Sequence, residues 1–152
     1  MGRELSTGEA INEALHIAMQ SDPDVILMGE DVAETGGIFG VSKGLLDAYG
    51  PERVRDTPIS EATFVGCGVG AAIAGLRPVV EIQIFDFVAL TMDMLVNQAA
   101  KFRFMLGGRN TVPLVVRGPQ GGGANRLWDP RSSRPGPCRP PRPSARRHRR
   151  CW

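Results

Sequence analysis

Apolar residues recur at helical spacing near the start of the chain, with Ile11, Ala14, Leu15, Ala18 and Met19 at i, i+3, i+4, i+7 and i+8. Ser6 and Glu9 precede them at the spacing of a capping box, so an amphipathic helix with one buried face is expected there, ended by Asp22-Pro23. Residues 25–28, Val-Ile-Leu-Met, are then wholly apolar between turn residues, the pattern of a parallel strand covered on both faces. Two acids, Glu30 and Asp31, stand at its C-terminal end. In open α/β sheets ligands bind at that edge, so the two acids either line a site or form a solvated pair.

After a glycine-rich loop at 35–40, residues 42–49 predict a short helix closed by Gly50-Pro51, and residues 53–55 a brief strand. Pro58 biases Thr57 to extended geometry. Residues 62–74 read as a helix too apolar for a surface position, with Gly66, Gly68 and Gly70 spaced by two. Each interior glycine costs a helix about 1 kcal/mol relative to alanine, so close approach of another backbone is the better explanation for all three. Gly75 caps that helix, Arg77-Pro78 turns the chain, and residues 79–84 predict a strand. Phe85-Asp86-Phe87 follows it, and a helical stripe of Met94, Leu95, Ala99, Phe102 and Met105/Leu106 runs to Gly107-Gly108. Residues 112–116 predict a further buried strand. Apolar strands alternating with helices predict an α/β fold, a parallel sheet with helices on both faces.

Charge divides the chain sharply. Residues 1–125 carry a net charge of −6 and residues 126–152 one of +8, nine arginines against Asp129 alone. Six of the twelve prolines fall in that last segment, which has no apolar periodicity and is expected to be a disordered basic tail. No stretch approaches the roughly 20 apolar residues of a membrane span. The N-terminus lacks a basic start followed by an apolar run, and Cys67, Cys138 and Cys151 have no metal-ligand spacing. A reduced, cytoplasmic setting is the expectation.

The candidate chemistry centres on Glu61, the one acid between a turn signal and the glycine-studded helix. It reads either as a helix-start residue, with Ser60 capping the first turn and Glu61 complementing the dipole, or as an acid held in low dielectric for proton work. Gly66-x-Gly68-x-Gly70 does not fit a dinucleotide fingerprint, because its third spacing is wrong and it lies inside the helix. His16 is expected at a core edge and Cys67 as a small buried hydrophobe.

Six stretches together resemble a known family: Asp56-Thr57-Pro58-Ile59-Ser60-Glu61, the glycine helix, Gly75-Leu76-Arg77-Pro78-Val79-Val80-Glu81, Phe85-Asp86-Phe87, Asn97-Gln98-Ala99-Ala100-Lys101 and Val115-Val116-Arg117-Gly118-Pro119. In order and spacing they resemble the β subunit of the E1 component of 2-oxo acid dehydrogenase complexes, of pyruvate or branched-chain type. The resemblance runs from about Leu5 to about Asn125 and implies a thiamine-diphosphate pyrimidine-binding, transketolase-like domain over residues 1–125.

It further implies that Glu61 hydrogen-bonds N1′ of the aminopyrimidine and so promotes activation of the thiazolium C2, and that Phe87 packs on the pyrimidine ring. Leu114 matches a position whose backbone carbonyl binds potassium in some members. No Gly-Asp-Gly element is present, which fits a β chain whose Mg²⁺ and diphosphate are held by an E1 α subunit. The implied assembly is α2β2 on a lipoyl acyltransferase E2 core. The expected reaction is oxidative decarboxylation of a 2-oxo acid with acyl transfer to lipoyl groups.

Past Asn125 the resemblance stops. The family's Gln-His-Ser loop is absent, His148 lies in the Arg/Pro segment without matching neighbours, and no catalytic histidine is carried over. The Arg/Pro bias of residues 126–152 is that of an out-of-frame, GC-rich reading. The expectation is therefore a truncated chain, inactive alone, with an inert fragment or a binding module using its tail as the alternative. The tail has little aromatic interleaving, which argues against nucleic acid as its partner.

Overall fold

A computed structural model describes residues 4–120. The Arg/Pro segment at 126–152, with Cys138, Cys151 and His148, and the last five residues of the expected domain lie outside them.

Helix α1 spans Thr7–Ser21, and its start is the capping box read from the sequence. The Ser6 hydroxyl accepts from the Glu9 amide, and the Glu9 carboxylate accepts from the Ser6 amide. Leu15 and Met19 are buried, with Ile11 and Ala18 packed beside them. His16 is tied to Tyr49, whose hydroxyl donates to the His16 carbonyl at 2.9 Å, so it has a structural role at the core edge.

Strand β1 covers Val25–Gly29 and is buried throughout, as a central parallel strand requires. Helix α2 is shorter than expected, Leu45–Tyr49, because Gly44 adopts a left-handed conformation at φ 81° and residues 41–44 turn instead. Then come β2 (Val54–Asp56), α3 (Glu61–Ile73) and β3 (Arg77–Glu81). Arg77-Pro78 does not turn the chain but pairs within the sheet, Pro78 opposite Ile26, while Arg77 donates its amide to the Asp24 carbonyl. The predicted strand therefore starts two residues earlier and ends at Glu81. Strand β4 is Val115–Arg117. The four strands are parallel in the order β2-β1-β3-β4.

Each face of the sheet carries its own core. On one, α1 and α2 bring Leu15, Met19 and Leu45 against Val25, Leu27 and Val54. On the other, Phe64 and Val65 of α3 join Met28, Val80 and Ile82, with Met94 and Leu95 partly buried beside them. The expected single helix over 90–106 is a composite: a 3₁₀ segment at Phe85–Thr91, a π-helix at Asp93–Ala99 and α4 at Ala100–Met105. A π turn needs more residues per revolution than an α turn, so it rotates the downstream stripe out of phase. Met94 and Leu95 reach the core, whereas Met105 is 72% exposed and Leu106 is exposed as well.

The α3 glycines separate into two kinds. A Cβ on Gly68 would lie 2.6 Å from Cγ2 of the buried Val80, and one on Gly66 3.1 Å from the Met94 sulfur, so the close approach is made by side chains and not by the backbone expected. Gly70 faces open space, so close packing does not explain it. Cys67, between them, is exposed rather than buried. Gly68→Ala is expected to destabilise by about 1–3 kcal/mol through overpacking. Gly70→Ala should stabilise by about 1 kcal/mol through helix propensity. Chemical denaturation of the two variants checks both signs.

Candidate active site

The C-terminal ends of β1, β2 and β3 meet the N-terminus of α3 at one edge of the sheet. Two buried acids converge there, Glu30 from the end of β1, 5% exposed, and Glu61 from the first turn of α3, 8% exposed. Of the two adjacent acids after β1, it is Glu30 that turns inward, while Asp31 is exposed. Oε1 of Glu30 is buried without a hydrogen-bond partner among the described residues. Burial raises the Glu30 pKa, and the charges of Glu61 and then Asp31 raise it further. Glu61 also sits where the free N–H groups of α3 favour negative charge. Ser60 does not cap the helix as expected. Its hydroxyl donates to the Thr63 hydroxyl at 2.6 Å, and its carbonyl accepts from the Thr63 and Phe64 amides.

Because Glu30 binds its proton more tightly folded than unfolded, its contribution to stability is full below the ordinary carboxyl range. That contribution is lost as pH rises through its elevated native pKa. Glu30→Gln is therefore expected to stabilise the fold at neutral pH and to flatten the pH dependence of its melting temperature. Thermal melts from pH 4 to pH 8 check this; a variant less stable than wild type at pH 8 contradicts it.

The loop after β1 is built to present Glu30. Asp31 has φ 54°, a left-handed conformation that no other non-glycine among the described residues adopts. Its carbonyl accepts from the Thr35 hydroxyl and from the Gly37 amide. The Asp56 carboxylate, at the end of β2, accepts from the amides of Ala33 at 2.7 Å and Glu34 at 3.3 Å. Gly29 leaves no room for a side chain, since a Cβ there would lie 2.4 Å from the Glu81 carbonyl oxygen. Below this edge Glu81, 2% exposed, pairs with Arg117 across β3 and β4. Burial raises the Glu81 pKa more than Arg117 lowers it, and burial lowers that of Arg117.

Phe87 stands in the 3₁₀ segment that packs on α3 and is 45% exposed, so plain core packing does not account for it. Leu114 sits just before β4 with its side chain beside Gly68. Among the described residues no group of three or more His, Cys, Asp or Glu is placed to hold a metal ion. No described helix is long and apolar enough to cross a membrane. An orphaned buried carboxyl beside a second acid, with an exposed aromatic ring on the element packed against α3, fits the hydrogen-bonding end of a heteroaromatic ring.

The sequence left Glu30 undecided between a site residue and a solvated one, and it did not single out Gln83. The signal for Glu30 was its place directly after a fully apolar strand. Gln83 carried none, because its contact with Asp31 depends on the register between β1 and β3.

Comparison with known proteins identifies the family of this fold. The family described as "Transketolase, pyrimidine binding domain" matches residues 3–125. The mitochondrial pyruvate dehydrogenase E1 component subunit beta-1 of Oryza sativa is 53% identical over 122 residues, 80% of this chain and 33% of that protein. The pyruvate dehydrogenase E1 subunit beta of Rickettsia bellii is 48% identical over 118 residues, 78% of this chain and 36% of that one. The acetoin:2,6-dichlorophenolindophenol oxidoreductase subunit beta of Bacillus subtilis is 45% identical over 135 residues, 81% of this chain and 40% of the relative. Among solved structures, a split-gene transketolase described as an inactive beta4 tetramer superposes with a TM-score of 0.51 at 21% identity, covering 63% of this chain and 30% of that one. The chain thus spans about a third of the length of the E1 β relatives. Its sequence and its parallel sheet agree, and the chain belongs to the transketolase pyrimidine-binding domain family.

Proposed function

We propose that this domain forms the pyrimidine side of a thiamine-diphosphate site and acts as the N-terminal part of an E1 β subunit in a 2-oxo acid dehydrogenase complex. The observation that carries the reading is the buried pair of Glu30 and Glu61 at the C-terminal edge of the sheet. Glu61, at the start of α3, would share a proton between its carboxyl and N1′ of the pyrimidine, and its burial limits competition from water. Glu30, with its pKa raised by burial and by the neighbouring acids, gives up its own proton less readily than a solvated carboxyl would. Phe87 would rest on the ring face. Thiamine diphosphate, when bound, supplies the electron sink for loss of carbon dioxide from a 2-oxo acid.

The same proposal assigns Mg²⁺ and the diphosphate to an E1 α subunit, the assembly to α2β2 on a lipoyl acyltransferase E2 core, and a potassium ion to the Leu114 carbonyl. Residues 1–125 would be the domain, followed by the basic segment at 126–152. It keeps the cytoplasmic setting expected from the sequence; a mitochondrial setting, which the plant relatives carry in their names, is what fractionation would distinguish. The acetoin relatives favour a second substrate reading, in which acetoin replaces the 2-oxo acid.

The test is a chimera in which residues 1–125 replace the matching stretch of a relative's E1 β subunit, assembled with that relative's α chain. Thiamine-diphosphate-dependent reduction of a dye acceptor with pyruvate, a branched-chain 2-oxo acid and acetoin reads out the substrate. Turnover with one of them supports the proposal. A well-assembled chimera inactive with all three would favour the inert-fragment alternative.

A further inference from the structure

We propose that Gln83 is a positioning residue: its amide clamps the left-handed Asp31 turn, and the clamp keeps the Glu30 carboxyl turned into the sheet edge beside Glu61. Its role in presenting the acid pair to a pyrimidine rests on the function proposed above, whereas the clamp itself stands on the geometry alone. Gln83 Nε2 donates to Asp31 Oδ2 at 2.8 Å and lies 3.5 Å from the Glu30 carbonyl, so one amide bridges both residues of the turn. Gln83 is two residues past the end of β3, and the β1–β3 register, Gly29 opposite Glu81, carries it alongside the turn.

The turn needs such a clamp. A non-glycine residue at φ 54° is in a sparsely populated conformation that persists only when its surroundings hold it, and aspartate is among the few side chains that tolerate it. Four groups meet there. Thr35 and Gly37 fix the Asp31 carbonyl, the Asp56 carboxylate fixes the amides of residues 33 and 34, and Gln83 fixes the Asp31 side chain. Of these, only Gln83 links the turn to β3, and only it also reaches the carbonyl of Glu30. Relaxing residue 31 toward ordinary backbone angles rotates the adjoining peptide, and with it the direction in which Glu30 leaves the strand. The buried carboxyl, whose Oε1 has no hydrogen-bond partner among the described residues, gains solvation by swinging outward, so its inward pose has to be enforced.

The test uses the full chain without cofactor, so that it is decided independently of whether thiamine diphosphate binds. Carboxyl carbons of glutamate are labelled with ¹³C, Glu30 is assigned through Glu30→Gln, and its titration is followed by NMR. The charged groups around Glu30 are Glu61 on α3 and the neighbouring Asp31, with Asp56 at the end of β2 and the Glu81–Arg117 pair on β3 and β4 along the same edge. In wild type the Glu30 midpoint lies above that of an ordinary carboxyl. Gln83→Met keeps the side-chain length and removes the donor; the Glu30 midpoint is expected to fall toward the ordinary range. Asp31→Ala removes the other end of the same hydrogen bond and should produce the same fall, which keeps the test decisive if one variant does not fold. Asp31→Asn removes the charge but retains an oxygen for Gln83, and the midpoint should stay raised. A folded Gln83→Met or Asp31→Ala protein with the wild-type midpoint would overturn the proposal. So would Asp31→Asn matching Asp31→Ala, because the charge of Asp31 would then account for the whole effect.

Discussion

Glu61→Gln, introduced into the chimeric β subunit assembled with its α chain, is expected to lower 2-oxo acid turnover by about 10²–10⁴-fold, the usual contribution of a positioned acid or base. Glutamine preserves the size of the side chain and a hydrogen-bonding oxygen, so the packing of α3 on Met28 and Val80 should survive. What is lost is the ionisable group beside Glu30. The loss should fall mainly on kcat, because in the proposed role Glu61 would act on the ring nitrogen during reaction more than in substrate binding. Steady-state kinetics alongside size-exclusion chromatography separate this from a failure to assemble. Near-wild-type turnover in an intact assembly would remove the role assigned to Glu61.

Arg117→Met is expected to give the largest loss of stability in the domain, about 3–5 kcal/mol, because it strands the buried Glu81 carboxylate without its partner. The loss should grow with pH. Removing Arg117 takes away the group that lowers the Glu81 pKa, so the folded state holds that proton even more tightly. Stability then declines as pH rises from the ordinary carboxyl range through the elevated native value. Replacing both partners with methionine should recover most of the loss, since two apolar side chains leave no buried charge. Denaturant titrations of the two single variants and the double variant decide this. A single variant within about 1 kcal/mol of wild type would mean that Glu81 finds solvent or another partner.

Much of the fold was legible because local chemistry and tertiary packing agree. The Ser6–Glu9 box, the Leu15 and Met19 stripe and the wholly apolar β1 each carry their own signal. Gly66 and Gly68 marked where α3 lies close to Met94 and Val80. Where the reading diverged, the deciding force was not local. Pro78 looked like a turn, yet it lies in β3 opposite Ile26, one residue before the pairing with β4 begins, while the Arg77 amide bonds to the Asp24 carbonyl. The stripe from Met94 to Leu106 assumes an α-helical period across a segment that winds as a π-helix, and its end, Met105 and Leu106, faces outward. At the site, Glu61 was visible as an acid entering an apolar helix. The choice between Glu30 and Asp31 was not, because it depends on the left-handed turn at Asp31 and on Gln83 reaching across from β3.

The central claim is that the acid edge recognises the ring nitrogen of an aminopyrimidine, and a binding cycle tests it most directly. Affinity for thiamine diphosphate is measured by calorimetry on the chimeric assembly with Glu61 and with Glu61→Gln. Both measurements are repeated with an analogue in which the pyrimidine nitrogen facing Glu61 is replaced by C–H. The account predicts that the Glu61 protein prefers the true cofactor and that Glu61→Gln loses most of this preference, giving a clear coupling between residue and ring nitrogen. Equal discrimination by both proteins would contradict it.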